Sequence, residues 1–124
     1  MRDVLSAAPN SQQGRFFGKW RIVEMEKWGL TYLDLIEPAH VTFGPVEDGD
    51  HAESGTFAFG TVKGWLDCRY SIRDGKPYVE FSWEGRSDRD DAFGRGWALL
   101  RDDALVGHIF IHCGEDSSFS AHRE

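Results

Sequence analysis

Six side chains have the types and spacing to act on a small molecule: Glu24, Glu26, Arg69, Glu80, Arg95 and His108. Carboxylates and guanidinium groups hold polar ligands through charge-assisted hydrogen bonds, and a carboxylate beside an imidazole can pass a proton. Residues two apart on a strand share a face. Glu24 and Glu26 therefore stand with Trp20, Ile22 and Trp28, while Arg69 stands with Trp65, Asp67 and Ser71. Glu80 stands with Ser82 and Glu84, opposite Val79, Phe81 and Trp83. Two arrangements satisfy this parity. In one, Asp67, Arg69, Glu80, Glu84 and Arg95 form a solvated outer face. In the other, Glu24, Glu26 and Arg69 turn inward around a small ligand, and Phe81 and Trp83 become an outer apolar patch that calls for a partner subunit.

Metal and nucleophile chemistry find less support. His108 and His112 fall four apart on a strand-like run, about 13 Å between Cα atoms at strand rise, too far for one ion. An i, i+4 histidine pair suits zinc on a helix. His108 keeps an acid–base role if a carboxylate orients it. Cys68 and Cys113 lack CxxC spacing and read as reduced thiols. The acidic stretches 47–53 and 87–91 lack the spacing of an EF-hand loop and read as solvated. No P-loop, G-x-S-x-G, G-x-G-x-x-G or H-E-x-x-H motif occurs. The sequence points to no metal and no cofactor.

Short strands must hold these side chains. Strand-like runs recur at 19–28, 40–43, 55–62, 65–72, 78–84, 95–100, 105–112 and 118–123, each closed by a turn signal. Leu30, Leu33 and Ile36 fall three apart and predict a short helical segment, which Pro38 ends. Lys63-Gly64, Asp74-Gly75 and Asp102-Asp103 read as tight connections, and 85–93 as a charged loop. Asp74-Gly75 is the strongest hairpin signal, because a type I′ turn needs positive φ at both central residues. Short connections make successive strands antiparallel. The expected fold is all-β: an eight-stranded antiparallel up-and-down barrel with one short helix between its first two strands. A polar leader, 1–14, precedes a single domain, 15–124.

Composition agrees. The 124 residues suffice for one core, and 9 Phe, 5 Trp and 3 Tyr supply rings to fill it. Fourteen Gly against 4 Pro suit many tight turns. A net charge of −7 without a basic patch argues against nucleic acid. No stretch approaches the roughly 18 apolar residues of a membrane span, and the opening lacks a secretory apolar run, so a cytoplasmic protein is expected.

Gly18-Lys19-Trp20 at the first strand and Arg123 near the end of the last resemble the calycin superfamily of lipocalins, fatty-acid-binding proteins and avidins. The resemblance implies that Trp20 plugs the closed end of the barrel and that Arg123 packs across its indole. EFSWEG at 80–85, GRGWALL at 94–100 and GHIFIHCGEDSSF at 107–119 are similar to strings in small bacterial proteins without assigned activity. The chain is shorter than a typical lipocalin and lacks its disulfides, which fits an intracellular carrier or a degenerate small barrel better than a secreted transporter.

The leading expectation is non-enzymatic binding of a small molecule. The alternatives are a small isomerase or lyase with a polar barrel interior, and a homodimeric protein-interaction module.

Overall fold

The apolar alternation resolves into eight strands in the computed structural model, which describes residues 13–44 and 54–124. They are β1 (Gly18–Met25), β2 (His40–Phe43), β3 (Ser54–Phe59), β4 (Val62–Arg73), β5 (Lys76–Ser87), β6 (Asp90–Arg101), β7 (Ala104–Ile111) and β8 (Asp116–Arg123), with α1 (Leu30–Leu33) between β1 and β2. Each strand pairs antiparallel with the next, and β8 returns to β1 to close the barrel in sequence order. Closure gives every strand a hydrogen-bonded neighbour on each side. The expected fold class and the expected position of the helix are both observed. Of the expected leader only its last two residues are described, and the acidic stretch 47–53 lies outside the described residues.

The inward rows are almost wholly apolar. Phe57, Phe81, Trp83 and Phe119 are at most 5% exposed, as are Ile22, Val41, Val79 and Ile109. Phe57 meets Trp83 edge to face at 4.9 Å, and Trp28 lies 5.2 Å from Phe59. Burying side chains of this size stabilises by roughly 1.5–3 kcal/mol each. At one end Trp20 plugs the barrel, its Nε1 donating to the Phe16 carbonyl at 2.9 Å. The Arg123 guanidinium lies 4.0 Å over the Trp20 ring and also donates to the carbonyls of Phe17 and Arg15. The plug and its cation are thus placed as the resemblance implies.

The other end is covered by the segment carrying α1. Leu33 is fully buried, its carbonyl accepts the Gly60 N–H at 2.9 Å, and Tyr32 Oη lies 3.2 Å from Thr61 Oγ1. Asp34 fastens the segment to β1 and β2: its carboxylate accepts the Ala39 N–H at 2.9 Å and the Arg21 guanidinium at 2.6 Å. These two contacts, the backbone one foremost, hold the Asp34 carboxyl below the usual carboxylate range.

Three local expectations differ from the structure. The β3–β4 turn falls at Gly60-Thr61, and Lys63-Gly64 lies inside β4. Gly64 is there for packing: a Cβ would stand 2.6 Å from Phe57 and 2.7 Å from Trp83. The stretch 85–93 is strand rather than loop, because β5 and β6 pair through Ser87↔Asp90 and turn at Asp88-Arg89. Charged residues there face water on both strands, so extending the ladder buries none of them. Finally, the β1–β8 register shifts between Ile22 and Glu24. This bulge advances the inward parity from Ile22 to Met25 and leaves Glu24 and Glu26 exposed. The shared face expected for Trp20 and the two glutamates therefore does not form.

Candidate functional site

The three longest strands, β4, β5 and β6, are twelve residues each and lie side by side. Their alternation is clean: Leu66, Cys68, Val79, Phe81, Trp83, Ala98 and Leu100 point in, while the charged set points out. Of the two arrangements open at the sequence level, the outer one is observed. Phe81 and Trp83 belong to the core and form no outer patch.

Register sets the outer face in rows. Asp67 pairs with Ser82, and Ser82 with Arg95. Arg69 pairs with Glu80, Glu80 with Trp97, and Trp97 with His108 on β7. Arg69, Glu80 and Arg95 consequently line one groove of about 580 Å³, together with Tyr78, Trp97 and Phe110. Trp97 stacks on Tyr78 with centroids 6.1 Å apart and planes 22° apart, and the Arg73 guanidinium lies 4.2 Å over the Tyr78 ring. Asp67 engages Arg69 at 3.3 Å, and Glu80 engages Arg73 at 3.6 Å. Among the described residues, Arg95 has no ion-pair partner within 4 Å. The groove thus combines a flat ring floor with an uncommitted guanidinium.

His108 stands at the groove's edge. Its Nε2 is 2.6 Å from Asp116 Oδ2, and its ring lies 4.6 Å from Phe110. An orienting carboxylate for His108 is therefore present. Glu26 lies farther round the wall, where its Oε1 accepts the Ser118 N–H at 3.2 Å, and Glu24 pairs along the β1–β8 ladder with Ser120. The structure brings three of the six candidates together, sets His108 beside them and leaves the two glutamates apart.

A second polar cluster sits over β2 and β3. His40 Nε2 is 3.4 Å from Glu37, whose other oxygen is 3.8 Å from Lys63 Nζ. Burial, reinforced by the nearby Lys19 charge, pushes the His40 imidazole down from its ordinary value and favours the neutral ring. Among the described residues, no group of three His, Cys, Asp or Glu side chains is arranged to hold a metal ion. Cys68 is buried and Cys113 exposed. No described helix is long and apolar enough to cross a membrane.

Sequence reasoning missed Tyr78, Trp97, Phe110 and Asp116 as site members. The signal for Trp97 was available, since it shares the face of Arg95 within the expected strand 95–100, but an outward ring on a strand carries no mark that separates a binding residue from ordinary surface. Asp116 lies eight residues from His108, and the register His108↔Ser118 with Phe110↔Asp116 sets the two side by side across the β7–β8 hairpin. In comparison with known proteins, the chain matches no family model, no curated protein and no solved structure.

Proposed function

We propose that this protein is a non-enzymatic, calycin-like binding barrel whose ligand sits in the outer groove of β4–β6 rather than inside the barrel. The supporting observation is the meeting of Arg95, free of any described ion-pair partner, with the Tyr78–Trp97 ring stack in one groove. That combination suits a small ring compound bearing a carboxylate. The ring lies against Trp97 or Phe110, and the carboxylate takes the planar fork of Arg95. The interior supports this choice of seat, since its rows are filled by Phe57, Phe81, Trp83 and Phe119.

Benzoate and indole-3-acetate serve as probes in a tryptophan fluorescence titration. The expected result is a saturable change that Trp97→Phe removes and Arg95→Gln weakens about 10- to 100-fold, the cost of a lost charged hydrogen-bond pair. A titration curve unaltered by both substitutions overturns the reading.

A second reading, a small isomerase or lyase, draws on the His108–Asp116 contact of 2.6 Å. Here Asp116 orients the imidazole, and His108 exchanges a proton with a compound held against Trp97. Its test is solvent deuterium exchange into a bound carbon acid, which His108→Asn must abolish.

A further inference from the structure

The same outer face carries rings that the groove does not use. Trp65 is 59% exposed and Phe93 51% exposed. Exposed rings and arginines on one face are the composition of an interface core rather than of ordinary surface. Three rows cross β4, β5 and β6 in register: Trp65, Glu84, Phe93; then Asp67, Ser82, Arg95; then Arg69, Glu80, Trp97. In each row the flanking strands β4 and β6 carry two groups that attract one another: ring and ring, carboxylate and guanidinium, guanidinium and indole.

We propose that a second copy of this chain docks on this face about a two-fold axis that lies in the contact plane and runs along β5. Such an axis sets β4 of one copy against β6 of the other, and every row closes on itself. Trp65 meets the partner's Phe93, Asp67 meets the partner's Arg95, and Arg69 meets the partner's Trp97. Symmetry makes each contact twice. An axis running across the strands instead sets Arg95 on the partner's Arg95 and Asp67 on the partner's Asp67, which like-charge repulsion disfavours.

Charge and area agree with this occupant. The chain carries a net −7, so two copies repel over most of their surface. This face is close to neutral: Asp67, Glu80 and Glu84 are balanced by Arg69, Arg95 and the Arg73 that lies 3.6 Å from Glu80. Glu80 and Glu84 lie near the axis beside their own counterparts, and the two flanking ion pairs offset that cost. Three twelve-residue strands span about 40 Å by 14 Å, or about 560 Å² before side-chain relief. Phe110 on β7, 41% exposed, extends the face toward the roughly 800 Å² per partner of a standard interface.

The dimer stands on strand register and needs no small ligand. Arg95 serves both proposals, so a groove occupant and a second copy compete for it.

Sedimentation equilibrium at 10–300 µM, with folding checked by circular dichroism, provides the test. The native chain is expected to reach twice its monomer mass. Asp67→Arg and Arg95→Asp, each alone, should weaken association at least tenfold, and the double swap should restore it. As a variant free of charge change, Ser82→Cys in a Cys113→Ser background should be captured as a dimer by a short bismaleimide, whereas Ser120→Cys should not. A native chain that stays monomeric at 300 µM, a double swap no tighter than the singles, or equal capture at both cysteines overturns the proposal.

Discussion

The inner and outer faces of β4–β6 are built from the same 36 residues and have opposite characters. Inside, Trp83 is 3% exposed against Phe57; outside, Trp65 is 59% exposed and Trp97 stacks on Tyr78. Inner rings are held by close packing and cannot change without moving their neighbours. Outer rings rest on neighbouring rings, Phe93 on His112 and Phe110 on His108, yet stay 51% and 41% exposed, so they are free to meet something else. The difference separates the rings that stabilise the barrel from those available for binding.

The comparison is broken most directly by exchanging the roles of the two faces. Trp83→Ala should cost about 3–5 kcal/mol in urea unfolding, because it opens a cavity against Phe57. If the cost is below about 1 kcal/mol, the inner face is not the packed one. Gly64→Val forces a side chain between Phe57 and Trp83 and should cost about 1–3 kcal/mol by the same measurement. A neutral result there would mean that the two rings are loosely seated.

Two smaller effects sharpen the contrast at the ends of the barrel. Arg123→Ala removes the cation from the Trp20 plug and its bonds to two carbonyls, and should cost about 1–2 kcal/mol. Asp34→Ala unties the covering segment and should cost about 1 kcal/mol near neutral pH. Because the folded Asp34 carboxyl is held below its ordinary value, its contribution is complete above that value and disappears as pH falls through the folded one. Native and variant unfolding curves should therefore converge in strong acid, and a gap that persists there argues against the Ala39 and Arg21 contacts. The smallest effect belongs to the outer face: Trp65→Ala should shift monomer stability by less than about 0.5 kcal/mol.

Much of the barrel was legible beforehand. Alternation in 65–72 and 78–84 separated the two faces correctly, since a strand with one side dry and one side wet cannot hide its period of two. Asp74-Gly75 was legible because φ of 51° and 77° suits few other pairs. The bulge at Ile22/Glu24 was not, since one extra residue carries no compositional mark yet inverts every side chain after it. Gly64 was mistaken for a turn because a glycine that relieves a turn and one that makes room for rings look alike in sequence.

The sequence by itself determined which residues alternate, where the sharpest turn lies and that about eight antiparallel strands close one core, because these depend on local backbone preference and on burial. Which face is inside, and which residues of distant strands share a row, was decided only by the tertiary structure. Arg69, Glu80 and Arg95 become neighbours through strand register, and register follows from the packing of Phe57, Phe81 and Trp83 beneath them.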